Sequence, residues 1–334
     1  MLKEIEIENF RCFEQIKISG FERVNLIGGK NNAGKTALLE ALFLNVAPKA
    51  SSLAILKELR REPSPAIEPM PDRAWDNLFY AHKKDRFIII IGTDDNNNID
   101  KVEMKVEINS FKSSIIWEFM RNEDVSTWSS TKVPAGNLIN YRISIDEAPI
   151  IPSFVRISGK ELTKAYDRAR LNEKDSEILK AFQIIDPAIE SVESFSIGEP
   201  TLYLRRKGEK RLPLSLFGDA MNRVADIILK LVNSEHKILL IDEIENGIHY
   251  TNQREFWRIL FRLAVELDTQ IFATTHSLEM LQAFADVGLE PNQECSSAYF
   301  ELAIKLKTNQ IIGIRRDLET LNYALEHQQG VRGE

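Results

Sequence analysis

The sequence predicts an α/β protein with a mostly parallel core sheet, covered on both faces by helices. Three observations predict it. Apolar runs of strand length (Val24–Ile27, Lys237–Ile241 and Gln270–Thr274) alternate with helical stretches, the pattern of strands buried on both faces. A glycine-rich loop joins the first run to a helix. The second run ends in two adjacent carboxylates.

Ile5 and Ile7, then Ile16 and Ile18, alternate with polar residues and predict two half-buried strands. Val24-Asn25-Leu26-Ile27 is a short buried strand that stops at Gly28-Gly29. Lys35 to Asn45 follows as a helix, with Leu38, Leu39, Leu42 and Phe43 on one face. From Pro48 to Pro71 the five prolines predict an irregular excursion with one short helix, Ser52 to Arg61. Strands are expected at Phe87–Ile91, Val102–Ile108 and Ile115–Phe119, the first turn being Asp94 to Asn98. Residues 120 to 150 give no ordered pattern. Lys160 to Phe182 is charged and helical, and too short for a long coiled-coil arm.

Ile197 to Leu212 is expected to be a hairpin turning at Lys207-Gly208-Glu209. Asp219 to Val232 is a helix with Met221, Val224, Ile228 and Leu231 on one side. Thr251 to Leu267 is amphipathic, with Phe256, Leu260, Leu263 and Leu267 together. Residues 298–314 are expected to hold one or two finishing strands and 316–328 a last helix. These elements divide into an N-terminal lobe with the glycine loop (1–95), an insertion of β-strands and a small helical segment (96–184), and a C-terminal lobe (185–334).

Composition narrows the class. No apolar run of the 334 residues approaches the ~18 needed to span a bilayer. The opening Met1-Leu2-Lys3-Glu4-Ile5-Glu6 lacks a signal peptide's apolar core, so a cytoplasmic location is expected. Cys12 and Cys295 match no metal spacing and read as packed thiols. A net charge of −7 argues against nucleic-acid binding through bulk charge. The densest basic cluster is Arg205-Arg206-Lys207 with Lys210 and Arg211. A solvated hairpin and a DNA contact fit that cluster equally well.

Gly29-Lys30-Asn31-Asn32-Ala33-Gly34-Lys35-Thr36 fits G-x-x-x-x-G-K-[ST], with a strand before it and a helix after it. Glycines let backbone N–H groups turn inward around a phosphate, and the helix N-terminus adds its own unpaired donors. Lys35 is expected to reach the β- and γ-phosphate oxygens of ATP, and Thr36 to offer its hydroxyl to Mg²⁺. Gly29, Asn31, Asn32, Ala33, Gly34, Lys35, Thr36 and Ala37 are therefore the expected nucleotide contacts. Ile238-Leu239-Leu240-Ile241 ends in Asp242-Glu243. At the carboxyl end of a strand, Asp242 is expected to hold Mg²⁺ through water, and Glu243 to take a proton from the attacking water.

Gln270 to Ser277 is a strand ending in His276, one helix after the acidic pair and on the same sheet edge. His276 is expected to hydrogen-bond a γ-phosphate oxygen. His82, His236 and His327 read as packing or surface residues. Leu214 to Asp219 precedes a helix. Ser215 and the N–H groups around Gly218 offer a second anion site, and an ordinary helix start fits the same residues.

Together these motifs resemble an ABC-type ATPase head of the P-loop NTPases, in the branch with SMC, RecF and OLD-family proteins. Glu8-Asn9-Phe10-Arg11 resembles the opening of that branch, which implies that Arg11 approaches nucleotide. Gly29–Thr36 is similar to its Walker A motif, Leu214–Asp219 to its signature, and Ile238–Glu243 to its Walker B motif. Glu245-Asn246-Gly247-Ile248-His249 resembles its D-loop and Thr274-Thr275-His276-Ser277 its histidine switch. The motifs anchor residues 1–45 and about 195–280, and look most similar to short OLD-like bacterial ATPases without a nuclease domain. Departures exist. No glutamine occurs between Gln15 and Gln183, so a Q-loop glutamine is lacking, with Asp76 or Asn77 as the replacement. His249 stands where many ABC proteins have aspartate, and the signature lacks its usual second glycine.

The resemblance implies an ATP-hydrolysing switch. Two heads would form a homodimer that sandwiches two ATP molecules, each Ser215 loop capping the γ-phosphate held by its partner. A separate nuclease or toxin would be the effector, in bacterial DNA maintenance or anti-phage defence. The alternative is a structural or DNA-clamping protein of RecF or SMC type, in which slow turnover times assembly. Nucleic acid stays open as a partner. A transporter subunit is disfavoured by the missing Q-loop, and a small-molecule kinase by Glu243 beside Asp242.

Overall fold

The computed structural model describes residues 1–60, 73–109, 112–135, 148–153, 158–233, 237–305, 307–327 and 329–331. Pro63, Pro65, Pro69, Pro71, residues 136–147 and His236 lie outside the described residues. The central sheet has six strands: β3 (Val24–Gly29), β8 (Ile150–Ile151), β12 (Ile238–Ile241), β13 (Gln270–Thr274), β14 (Ser297–Ile304) and β15 (Ile311–Arg316). Their order is β15-β14-β3-β13-β12-β8, and every pair is parallel except β14 with β15. Register sets Ile241 beside Ala273 and Thr274 beside Ile27, so the carboxyl ends of β12, β13 and β3 finish together.

Alternate residues of these strands enter two separate cores. Leu26, Ile241, Ile271 and Ala273 join one, and Ile27, Leu240, Phe272 and Phe300 the other. The first core is closed by helices α3 (Gly159–Leu171), α4 (Asp175–Ile185), α5 (Asp219–Asn233), α6 (Gln253–Glu266), α7 (Leu278–Gly288) and α8 (Leu318–Glu326). The second is closed by α1 (Lys35–Val46), by α2 (Ser52–Leu59) and by an antiparallel sheet. That sheet runs β2-β1-β4-β5-β6-β7, from β1 (Leu2–Phe10), β2 (Phe13–Ser19), β4 (Ile88–Asp94), β5 (Ile99–Asn109), β6 (Lys112–Arg121) and β7 (Asp124–Pro134). Gln270 ties the two sheets together: its side chain accepts from Leu2 N at 2.9 Å and donates to Leu2 O at 2.8 Å.

The α1 expectation needs correction. The helix has no solvent face beyond its first turn: Ala37 through Asn45 are all buried, because α1 lies between the two sheets. Burying Leu38, Leu39, Leu42, Phe43 and Leu44 contributes roughly 1.5–3 kcal/mol per side chain. The charged stretch after residue 158 is two helices rather than one, broken at Glu173, whose φ is +60°. Within 120–150, β7 forms an eleven-residue strand of which Val133 alone is buried. The hairpin is shorter than expected and has an extra partner. Strands β10 (Thr201–Arg206) and β11 (Leu212–Pro213) turn at Lys207-Gly208, β9 (Ile189–Phe195) completes the three-stranded sheet, and Ile197 is exposed outside it.

Candidate active site

Three elements converge on one cleft of about 940 Å³, lined among others by Asn31, Asn32, Gly34, Lys35, Thr36, Ala37, Asp242 and Glu243. The loop from β3 to α1 turns through left-handed backbone at Asn32 (φ +63°) and Gly34 (φ +93°), which aims backbone N–H groups to one side. A Cβ on Gly34 would lie 2.9 Å from Cys12 Sγ and Phe13, so bulk is excluded as well as the angle. Lys35 Nζ arches over the loop and donates to the carbonyls of Gly29 (2.7 Å) and Lys30 (2.9 Å). Ala33 behaves unlike its neighbours. It is 1 % exposed, packs in the second core, and its N–H donates to Lys30 O at 3.1 Å.

Asp242 leaves β12 into the floor of the cleft. Thr36 Oγ1 lies 3.3 Å from both of its carboxylate oxygens, and Thr274 Oγ1 donates to Oδ1 at 2.6 Å. Burial pushes the Asp242 carboxyl above its ordinary range, the Thr274 hydrogen bond opposes that shift, and the neighbouring Glu243 charge adds to it. A buried carboxylate beside a hydroxyl fits a magnesium ion, which would relieve the trapped charge. Among the described residues no group of three or more His, Cys, Asp or Glu is placed to hold a metal ion.

Glu243 sits in left-handed backbone at φ +45°, a conformation that costs about 1–3 kcal/mol in a non-glycine residue. Its N–H donates to Thr274 Oγ1 at 2.9 Å, and Asn246 Nδ2 donates to its Oε2 at 2.9 Å. The strained backbone and the amide together aim the carboxylate. His276, half exposed, is absent from the cleft lining and meets Glu245 Oε1 at 2.9 Å through Nδ1.

Arg11 and Asn77 line the cleft, and Arg11 donates to Asn77 O at 2.7 Å. Asp76 instead pairs with Lys84 at 2.6 Å. Arg11 also bonds Glu40 at 2.9 Å, and Arg60 bonds the same carboxylate at 2.6 Å. Glu40 is fully buried on α1, so this triad fixes two cations at the cleft mouth. Cys12 borders them as a thiol, its pKa pushed by burial up to about 11. Burial raises Cys295 likewise, to about 12.

Ser215 and Gly218 are not among the cleft residues. Ser215 is exposed on a single 3-10 turn, Leu214–Phe217, and Gly218 (φ +93°) leads into α5. His249 and Tyr250 are exposed too, their rings 4.4 Å apart. The basic hairpin is largely neutralised: Arg205 pairs with Glu190, Arg206 with Asp186 and Arg211 with Glu193. His82 and His327 are exposed.

Sequence reasoning missed Glu40, Arg60, Thr274, Glu245 and Asn246 as partners of the site. Thr274, Glu245 and Asn246 fall inside recognised motifs, which was the available signal. Glu40 and Arg60 had none, because their pairing with Arg11 spans three separate elements.

A phosphate loop, an acidic strand end and this sheet order define a P-loop ATPase with the fold of an ABC-type head. The chain belongs to the family described as AAA domain, putative AbiEii toxin, Type IV TA system, whose model matches residues 24–281. It is 24% identical over 383 aligned positions to an ATP/GTP phosphatase of Helicobacter pylori, an alignment that covers both chains completely. A shorter match is to the DNA replication and repair protein RecF of Bacillus thuringiensis. There the identity is 35% over 60 residues, covering 18% of this chain and 16% of that one. Among solved structures, an SMC head bound to the C-winged helix domain of ScpA shares the fold. It has a TM-score of 0.51 at 12% identity, covering 96% of this chain and 98% of that one. No helix among the described residues is long and apolar enough to cross a membrane.

Proposed function

We propose that this chain is an ATP-driven switch that acts with a separate effector protein, a nuclease or a toxin, in bacterial DNA maintenance or anti-phage defence. The observation that carries the reading is the contact of Thr36 with Asp242 at 3.3 Å, which joins the phosphate loop to the acidic strand end. The full-length likeness to an ATP/GTP phosphatase and the toxin named in the family description support it. So does the OLD-like cast of the segment from Ile241 to His249.

In this reading the Asn31–Gly34 backbone and Lys35 bind the β- and γ-phosphates, and Arg11 approaches the nucleotide from β1. Thr36 and Asp242 would hold magnesium, Asp242 through water. When bound, the ion draws off charge from the phosphate oxygens. Glu243 accepts the proton of a water whose oxygen bonds to the γ-phosphorus as the bond to the β–γ bridging oxygen breaks, giving ADP and phosphate. His276 contacts a γ-phosphate oxygen. Two chains pair head to head, each lending Ser215 and the N–H groups near Gly218 to the nucleotide of the other. ATP-timed clamping on DNA is a second reading, favoured by the RecF-like stretch, and it uses the same cleft.

Glu243→Gln tests the mechanism. It keeps the shape and the hydrogen bond from Asn246 and removes the proton acceptor, so single-turnover hydrolysis should slow by roughly 10²-fold or more. Binding should survive, and an ATP-dependent dimer should accumulate in light scattering. Wild-type turnover would remove Glu243 from the mechanism. Slowed hydrolysis with a mass independent of ATP would keep the base and reject the head-to-head pair.

A further inference from the structure

The loop leaving β12 carries a carboxylate that the scheme above does not use. Glu245 is 11% exposed, and its Oε1 accepts the backbone N–H of His276 at 2.9 Å and lies 2.9 Å from the ring Nδ1 of the same residue. Its other oxygen is buried without a hydrogen-bond partner among the described residues. The two loops are also stitched by backbone, Ile244 N donating to Thr274 O at 2.9 Å. Glu245 is thus held against His276 by main chain as well as side chain, while the ring keeps half its surface open.

The proton inventory of this pair has a consequence. A carboxylate only accepts, so a ring nitrogen held 2.9 Å from it carries a proton. In a neutral imidazole the second nitrogen, Nε2, is then bare and also only accepts. A γ-phosphate oxygen is an acceptor as well, so a neutral His276 in this orientation would set two lone pairs against each other. The contact becomes attractive once the ring holds both protons. We propose that Glu245 is a positioning residue and counter-ion that makes His276 meet phosphate as an imidazolium, a fixed cation and not a neutral donor. The pair would sense negative charge on the terminal phosphate and lose its partner when phosphate leaves. This inference rests on the reading that the cleft binds and hydrolyses ATP.

The test follows ring nitrogens and rate together. The chain has five histidines, so long-range ¹H–¹⁵N spectra of histidine-labelled protein are tractable, with His276→Gln assigning the signal. At fixed pH, wild type should show His276 protonated at Nδ1 and, with magnesium and a non-hydrolysable ATP analogue, at both nitrogens. Glu245→Gln should fail to gain the second proton on adding the analogue and should hydrolyse ATP roughly 10- to 100-fold more slowly. Glu245→Asp should recover part of the rate. His276→Gln, a neutral donor, should fall as far as Glu245→Gln, and the double variant no further. A singly protonated ring in the bound state would overturn the proposal, as would wild-type hydrolysis by Glu245→Gln. If wild type itself neither binds nor hydrolyses ATP, the ATPase reading falls and this inference falls with it. If wild type hydrolyses and only the Glu245 effects are missing, the ATPase reading stands.

Discussion

The Gly29–Thr36 loop and the Leu214–Phe217 turn are both expected to meet phosphate, and the chain builds them in opposite ways. The first is enclosed. Its helix is buried between two sheets, its lysine is tied to loop carbonyls, and its threonine reaches the strand-end carboxylate. The second stands on the surface, with Ser215 and Gly218 exposed and Leu216 at 68% exposure. Arg206 stacks on Phe217, its guanidinium carbon 4.9 Å from the ring centroid, and anchors the turn from below without covering its outer side. One region can bind within a single chain. The other lies outside that cleft, and in the proposed pair it would work on a nucleotide held by the partner.

The largest effect should come from the enclosed region. Lys35→Ala removes the side-chain cation placed for the β- and γ-phosphates, and ATP affinity measured by calorimetry should fall by roughly 100-fold, the scale of a lost charged hydrogen bond. Unchanged affinity would dissolve the contrast, since the enclosed region would then not be the binding half. Ser215→Arg should leave affinity at low protein concentration intact and reduce steady-state turnover by roughly 10²-fold, as for a lost transition-state donor. A loss of affinity instead would mean that the turn serves its own chain's nucleotide.

What could be read from the sequence follows the same division. β3, β12 and β13 are buried on both faces, so each appears as a short, mainly apolar run, with only Asn25, Gln270 and Thr274 polar, and the motif residues follow at the strand end. β7 carries one buried residue in eleven, so no periodicity marks it. Its order comes from pairing with β6, a partner that periodicity along one strand does not reveal. In β9 the buried residues Ile189 and Val192 are three apart and give no strand signal. The break between α3 and α4 uses Glu173 at positive φ, where a glycine would have announced it. Glu40 reads as one polar residue in a leucine-rich helix, and only the folded chain shows the two arginines around it.

A smaller effect separates function from stability at Asp242. Its folded-state pKa is raised, chiefly by burial. The folded state therefore holds that proton more tightly than the unfolded state, and stability falls as pH climbs from the unfolded pKa through the folded one. At neutral pH without magnesium, Asp242→Asn should raise Tm by about 2 °C, the shift roughly 1 kcal/mol gives in a chain of this size class. The amide oxygen can still accept from Thr274. The same variant should lose the magnesium dependence of nucleotide binding. A lower Tm would mean that Asp242 stabilises the fold, and that burial is outweighed by its two hydroxyl partners.

The smallest expected effect concerns the basic hairpin, a third surface on which the comparison can be sharpened. If Arg205 and Arg206 gripped DNA phosphates, losing both would reduce the slope of log affinity against log salt by about 1.8, at roughly 0.9 per phosphate. Both arginines already face carboxylates: Arg206 meets Asp186 at 2.6 Å, and Arg205 meets Glu190 at 3.5 Å. A phosphate would have to displace Asp186 from a short, part-buried pair and Phe217 from its cation contact. Arg205→Gln with Arg206→Gln should therefore leave the salt slope unchanged and cost little stability, since exposed pairs contribute about 0–1 kcal/mol each. Hydrolysis is the finer readout. Without Arg206 the ring of Phe217 loses its support, so turnover should dip while affinity for ATP holds. A slope reduced by about 2 would instead make the hairpin a nucleic-acid contact and favour the clamp reading over the effector switch.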